Sequence, residues 1–193
     1  MDPIEEFRAL FAQAQAVDRS RLPDPTAMSL ATVSPDGAPS VRIVLLKSVD
    51  ERGFVFYTNL NSRKGRELAT TPRAALCFYW AALDMQIRIE GAVEPVSDAE
   101  ADAYFASRAR ESQIGAWASL QSETLASMDE LRARAADVEK LYANVPVPRP
   151  PHWTGRRVCP TRIEFWHAGE FRLHERRLFE REGDRWTLRR LFP

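Results

Sequence analysis

A chain of 193 residues is long enough to fold as one domain with a sizeable core, since a fold of this size buries about 70% of its unfolded surface. Its 27 basic and 27 acidic residues cancel, which removes the broad electrostatic pull of nonspecific nucleic-acid binding. Cys77 and Cys159 are too few for a disulfide framework or a cysteine-rich zinc site. The start Met1-Asp2-Pro3-Ile4-Glu5-Glu6 has no secretory-signal pattern, and no run approaches the roughly 18 apolar residues of a membrane span. The expectation is a cytoplasmic protein without membrane or nucleic-acid partners, with Cys77 a buried free thiol in the apolar run Ala74–Trp80.

Ile4, Phe7, Leu10 and Phe11 fall on one helical stripe, with Asp2 placed to cap and Pro3 in the first turn, so a short docking helix opens the chain. β-rich runs follow at Met28–Val33, Ser40–Val49, Phe54–Thr58, Ala74–Trp80 and Met85–Val93. Ser34-Pro35-Asp36-Gly37 and Asp50-Glu51-Arg52-Gly53 are hairpin-like connections, and successive hairpins predict an antiparallel meander or barrel. Between the third and fourth runs, Ser62 caps a short helix through Leu68 that stops near Pro72. Ser97-Asp98-Ala99-Glu100 is a capping box leading into a helix through Tyr104 and Arg108, and a second box, Ser127 to Glu130, lies in a helical segment from about Thr124 to Tyr142. Val145 to Pro151 is proline-rich, extended and stiff, and reads as a linker. Strands are then expected at Thr161–His167, Phe171–Phe179 and Trp186–Leu191, with Glu182-Gly183-Asp184 turning the last pair. The organisation is a single domain, 1–193. About 20–95 and 156–193 form an antiparallel β part, and about 96–145 a smaller helical part.

Several segments carry the residue types that bind anions. On a strand, Arg172, His174 and Arg176 would share one face, two guanidiniums flanking an imidazole; a solvated charged face is the alternative. Arg63 and Lys64 open a helix at the positive end of its dipole, an arrangement that a bound phosphate would reconcile. Arg42 lies inside the apolar run Val41 to Leu46 and needs either an exit to solvent or an anionic partner. Lys47 closes that run, but strict alternation puts Arg42 and Lys47 on opposite faces. Either a bulge resets the phase, or a ligand extends past the strand edge. Tyr104, Arg108 and Ser112 are spaced by four, which on one continuous helix would align a phenol, a guanidinium and a hydroxyl. Gln121 and Ser122 offer ligand contacts or a cap, Gln86 reaches a ligand or an exposed edge, and Trp166 stacks on a flat cofactor or fills core.

Taken together, Asp24-Pro25-Thr26-Ala27-Met28, Arg42 through Lys47, Phe56-Tyr57-Thr58-Asn59, Ser62-Arg63-Lys64, Ser112 through Trp117, Arg162 through Trp166 and Arg172-Leu173-His174 resemble the pyridoxamine/pyridoxine 5′-phosphate oxidase family, over nearly the whole chain. The resemblance implies a mainly β, α+β fold: a split β-barrel with a smaller helical part, dimerised so that each of two interfacial clefts holds one FMN. It implies FMN contacts from Arg42, Ile43, Val44, Leu45, Leu46, Lys47, Tyr57, Thr58, Arg63, Lys64, Gln86, Gln121, Ser122, Trp166 and Arg176. Lys47, Tyr104, Arg108, Ser112, Arg172, Leu173 and His174 would meet the substrate, with Arg172 and His174 nearest the reacting carbon. The implied reaction oxidises pyridoxamine 5′-phosphate or pyridoxine 5′-phosphate to pyridoxal 5′-phosphate with O2 as acceptor and H2O2 as product. The rival readings are a split-barrel flavin oxidase acting on another ring, as in phenazine pathways, and a noncatalytic FMN- or haem-binding barrel.

The chain departs from the family pattern in four places. Its N-terminal extension is short, Asp84-Met85 precedes Gln86 where many relatives have a basic residue, Trp153-Thr154-Gly155 replaces Trp-Gly-Gly, and Glu175 stands where Asp is usual. These bear on closure over the substrate more than on flavin binding.

Overall fold

The computed structural model describes residues 2–193. Helix α1 (Pro3–Ala16) begins as expected: the Asp2 carboxylate accepts the Ile4 N–H at 2.8 Å, with Pro3 where a missing donor costs nothing. Strands β1 (Ala27–Val33), β2 (Pro39–Leu45), β3 (Ser48–Asp50), β4 (Gly53–Asn59), β5 (Arg73–Trp80), β6 (Met85–Pro95), β7 (Trp153–His167), β8 (Glu175–Glu182) and β9 (Arg185–Arg190) form one antiparallel sheet. Its order is β2-β1-β5-β6-β7-β4-β3, with β8 on β7 and β9 on β8.

The 15-residue β7 splits the sheet: residues 153–158 pair with β4, and residues 162–167 pair with β8. At Glu90/Gly91 its register with β6 shifts, and there a Cβ on Gly91 would lie 2.0 Å from the Cys159 carbonyl oxygen. Only glycine lets the two backbones approach at this bulge. The other end of the sheet path returns through Leu46 and Lys47, whose N–H groups donate to Thr26 O and Val55 O, both at 2.9 Å. The expected single strand Ser40–Val49 is therefore two strands joined by this crossing.

Alternating residues Leu30, Leu76, Phe78, Ile87, Ile89, Ile163 and Phe165 fill the interior, and α1 plugs it with Ile4 and Phe7. The Phe7 ring meets Phe54 edge-on at 4.8 Å and lies 5.2 Å from Phe78.

Helix α2 (Arg63–Thr70) sits between β4 and β5, and α3 (Asp98–Ala106), α4 (Arg110–Ala118) and α5 (Met128–Leu141) follow β6. α5 starts at its capping box, where Ser127 Oγ accepts the Glu130 N–H at 3.2 Å, and not at Thr124. The helix predicted through Arg108 ends at Ala106, and the chain turns at residues 107–109 into α4. Gln113 Nε2 donates back to Phe105 O at 2.9 Å, closing the corner. The helices pack a second core of Phe105, Ile114, Val147 and Trp153 against the barrel. The proline-rich segment is extended, as expected, but is tied down. Val147 is buried, Trp117 Nε1 donates to Pro148 O at 2.7 Å, and Arg149 pairs with Asp98 and Asp102. No described helix is long and apolar enough to cross a membrane.

Candidate active site

A cavity of about 490 Å³ opens where the end of β2, the β2–β3 crossing, β4, α2, α3 and α4 converge. Ile43, Val44, Leu45, Lys47, Tyr57, Thr58, Lys64, Tyr104, Arg108, Ser112 and Gln121, all singled out from the sequence, line it. Asn59, Gly115, Ala116, Ser119 and Trp153 complete the wall. The alternation problem is resolved by the break between β2 and β3: ending β2 at Leu45 frees Lys47 from its phase, and Lys47 lines the cavity.

One wall is a stack of aromatic rings. Tyr57 lies 4.0 Å from Tyr104 and 5.0 Å from Trp153, the planes within 18° and 12°. The Arg108 guanidinium caps the stack, 4.9 Å above the Trp153 ring. Burial, helped by Glu100 and Tyr104, pushes the Tyr57 phenol up to about 12, so it stays a neutral donor. Arg108 Nη1 is buried with no hydrogen-bond partner, and burial lowers the pKa of this guanidinium. A desolvated cation with an idle donor at a cavity is a binding group for an anion. Tyr104, Arg108 and Ser112 were expected along one helix. They reach the cavity from α3, the corner and α4, so convergence comes from the turn at 107–109 and not from a four-residue period.

The second anion feature is the start of α2. Ser62 Oγ caps it by accepting the Gly65 N–H at 3.2 Å. Gly65 is required by close approach, since a Cβ there would lie 2.2 Å from Leu60 O. The Arg63 N–H donates to Ser122 Oγ at 3.1 Å, and Lys64 Nζ donates to Ser62 Oγ at 3.1 Å and Gln121 Oε1 at 2.8 Å. Burial, together with the nearby Arg42 charge, lowers the Lys64 ammonium to about 8. Arg42 does not line the cavity. It donates to Leu30 O and to the Thr32 and Ser40 hydroxyls and pairs with Glu67 at 3.4 Å. Glu67 also accepts Arg63 Nε at 2.8 Å. Thus Arg42, Arg63, Lys64, Gln121 and Ser122 gather at one helix end, the arrangement that binds phosphate.

Leu46 is buried in the barrel core, so its side chain serves packing. Gln86, Trp166 and Arg176 lie elsewhere, in one row across β6, β7 and β8, where they are direct cross-strand partners. Arg176 Nε is held at 2.7 Å by Glu164, which is buried and also accepts Arg88 Nη2 at 2.7 Å.

Arg172, Leu173 and His174 precede this row in a tight turn. The strand expected from Phe171 begins only at Glu175, and Phe171 and Arg172 take left-handed backbone, φ 53° and 64°. Arg172, His174 and Arg176 therefore do not form one strand face. The turn exposes Arg172 and Leu173 and leaves Phe171 90% exposed, while the His174 ring lies 4.7 Å from Trp166. His174 Nδ1 accepts the Gly169 N–H at 3.2 Å, which in the neutral ring puts the proton on Nε2. None of this second group lines the cavity of the same chain.

Residue-by-residue reading did not assign Asn59, Gly115, Ala116, Ser119 and Trp153, which line the cavity, or Glu67, which pairs with Arg42 and Arg63 beside it. Glu67, four residues after Arg63 on a helix, carried the one available signal, an i,i+4 ion pair.

FMN fits this geometry. The cation-rich start of α2 suits a phosphate, and the exposed apolar edge Ile43 and Leu45 suits a flat ring.

Residues 14–142 match the family described as pyridoxamine 5′-phosphate oxidase, and residues 153–193 match a pyridoxine 5′-phosphate oxidase C-terminal dimerisation region. A pyridoxine/pyridoxamine 5′-phosphate oxidase of Myxococcus xanthus (strain DK1622) is 60% identical over all of this chain and 92% of its own length. Its namesake from Thermosynechococcus vestitus is 58% identical over all of this chain and 89% of its own. Among solved structures, PhzG from Burkholderia lata 383, crystallised with tetrahydrophenazine-1-carboxylic acid, superposes with a TM-score of 0.92 at 38% identity, covering 100% of this chain and 93% of that one. With an α+β split barrel and these matches across both segments, the chain belongs to the pyridoxamine 5′-phosphate oxidase family.

Proposed function

We propose that this chain is an FMN-dependent oxidase that converts pyridoxamine 5′-phosphate and pyridoxine 5′-phosphate to pyridoxal 5′-phosphate. The observation that carries the reading is the pairing of a helix-start cation cluster, which reaches the cavity through Lys64 and Gln121, with a separate buried guanidinium on the same cavity whose Nη1 lacks a partner. That provides one grip for each of two phosphates. Arg42, Arg63, Lys64, Gln121 and Ser122 hold the flavin phosphate; Ile43 to Lys47, Tyr57 and Thr58 line its path; and Tyr104, Arg108 and Ser112 hold the substrate phosphate. A phenazine-type ring acid, such as the one crystallised with PhzG, would offer Arg108 a carboxylate in place of a phosphate; the phosphate is favoured by the pyridoxine/pyridoxamine 5′-phosphate oxidases at 60% and 58% identity, against 38% for PhzG.

The remaining residues come from a second copy. In a homodimer, the Gln86–Trp166–Arg176 row and the Arg172–Leu173–His174 turn of one chain close the cavity of the other. Support comes from the match to a dimerisation region and from the exposed apolar residues on edge strand β2 and on the turn: Val41, Ile43, Phe171 and Leu173. Burying them on association also offsets the left-handed backbone at Phe171 and Arg172, which costs about 1–3 kcal/mol per residue.

FMN held by these residues would supply the electron acceptor for the hydride equivalent leaving C4′, with O2 as the final acceptor. For the alcohol the balance is substrate plus O2 giving aldehyde plus H2O2; for the amine, water also enters and ammonia leaves. The protein's contribution would be position and electrostatics: the two phosphate grips would fix where flavin and substrate lie, and Arg172 with His174 would orient the substituent at C4′. His174 Nε2–H is a donor to that oxygen or nitrogen.

The test is purified protein mixed with pyridoxine 5′-phosphate in air. Yellow protein, pyridoxal 5′-phosphate and peroxide in equal amounts are expected. A yellow protein producing neither product would make this a flavin binder and refute the reading.

A further inference from the structure

We propose that Glu67 is a positioning residue of the flavin-phosphate site, its two carboxylate oxygens holding the guanidiniums of Arg42 and Arg63 in register for one phosphate. The proposal rests on the FMN reading given above. Arg42 comes from β2 and Arg63 from α2, two elements that only the tertiary fold brings together, and Glu67 touches both. Its Oε1 accepts Arg63 Nε at 2.8 Å; its Oε2 accepts the Thr32 hydroxyl, the Ser40 hydroxyl at 2.7 Å and Arg42 Nη2 at 3.4 Å. Ser40 links the set further, accepting the other hydrogen bond from Arg42 Nη2 at 2.5 Å.

Glu67 is 4% exposed. Burial alone would raise its pKa, but the Thr32, Ser40 and Arg63 hydrogen bonds and the Arg63 charge outweigh burial and hold the carboxyl at about 2. It is a carboxylate at neutral pH. A buried ion pair is a poor way to gain stability, because well-packed apolar side chains do as well. Its use here is directional. By binding Arg63 through Nε, the carboxylate fixes the guanidinium plane, and no described residue accepts a hydrogen bond from its two terminal nitrogens. It also trims the local charge. Arg42, Arg63 and Lys64 carry three positive charges and Glu67 removes one, leaving two opposite a phosphate monoester of about −1.5 to −2.

The test compares FMN with riboflavin, which share the ring system and differ by the phosphate, titrated into flavin-free protein and followed by quenching of flavin fluorescence. Glu67→Gln keeps the size of the side chain but leaves one acceptor oxygen where two are used. FMN affinity should fall about tenfold or more while riboflavin affinity stays within about twofold, since only the phosphate grip is loosened. Equal losses for both flavins would mean a merely structural role, and unchanged or tighter FMN binding would mean Glu67 is only a counter-charge; either overturns the proposal. If Glu67→Gln does not fold, Ser40→Ala serves, with FMN weakened about threefold and riboflavin unchanged. An unchanged ratio of the two affinities in that variant overturns the proposal. Unsubstituted protein that binds neither flavin would refute the FMN reading itself, and the proposal with it.

Discussion

Replacing Arg108 by methionine separates binding from folding. The guanidinium lies 4.9 Å over Trp153 and 5.6 Å from Phe105, has a buried Nη1 without a partner and forms no ion pair. In the absence of ligand it is a cost: an orphaned buried donor costs about 1–3 kcal/mol, against about 0.5–1 kcal/mol returned by the cation–π contact. Methionine has similar length, packs well on aromatic rings and needs no partner. The ligand-free melting temperature of Arg108→Met should therefore hold or rise by about 2–4 °C, the shift expected per kcal/mol for a chain of this size. Substrate binding should suffer, because a charge-assisted hydrogen bond to phosphate contributes about 1.5–3 kcal/mol, or about 10- to 150-fold. The assay is kcat/KM for pyridoxine 5′-phosphate, from the absorbance of the aldehyde product, beside the same measurement on unphosphorylated pyridoxine. The phosphorylated substrate should lose that factor and the unphosphorylated one should be unchanged. A loss of less than about twofold, or equal losses on both substrates, would refute the assignment of Arg108 to the substrate phosphate.

Lys64 makes flavin binding pH-dependent. Its pKa is lowered to about 8 in the ligand-free chain, so it is largely neutral at pH 9, and an arriving phosphate raises it again. FMN binding should take up a proton above pH 8, and affinity should fall as pH rises from there, by at most about tenfold per unit. Calorimetry in buffers of different ionisation enthalpy measures the uptake, and none at pH 9 would exclude Lys64 from the site. The same shift makes the unfolded chain bind more protons than the ligand-free fold between pH 8 and 10.5, so this group's contribution to ligand-free stability rises with pH across that window.

Gly65→Ala forces a Cβ to within 2.2 Å of Leu60 O and must tilt the start of α2. FMN affinity should drop about tenfold or more, with about 1–3 kcal/mol of stability lost in urea unfolding. Phe7→Ala removes the plug between Phe54 and Phe78 and should cost about 3–5 kcal/mol, read from the shift in the denaturation midpoint.

Much of the fold was legible because short-range rules govern it. The Asp2, Ser62 and Ser97 caps appear at their expected places, and the Ser127 box sets the true start of α5, since a capping hydrogen bond spans only two or three residues. β-rich runs bounded by turn residues placed β1, β4, β5 and β6 to within a few residues, because apolar side chains from each pack on a common core. Where strands were misjudged, a long-range contact intervened. β7 begins at Trp153, eight residues earlier than its apolar pattern indicates, because β4 offers a partner along residues 153–158. β2 stops at Leu45 because the chain must cross to Val55. The arginine–histidine tract is a turn because Phe171 and Arg172 take left-handed backbone, which no strand periodicity encodes.

Sequence alone was enough to identify the family, and through that resemblance it nominated the motif residues from Arg42 to Arg176 for the site, with FMN and a phosphorylated B6 vitamer as the expected ligands, before any coordinates. Only the tertiary structure decided how they are grouped. It joined Tyr104, Arg108 and Ser112 through a corner, tied Arg42 to Arg63 through Glu67, and left the Gln86–Trp166–Arg176 row and the His174 turn outside the cavity of their own chain. The reason is physical. Caps, turns and alternation act over a few residues, whereas an ion pair or a cavity wall joins residues far apart in sequence, whose approach depends on how the whole barrel closes.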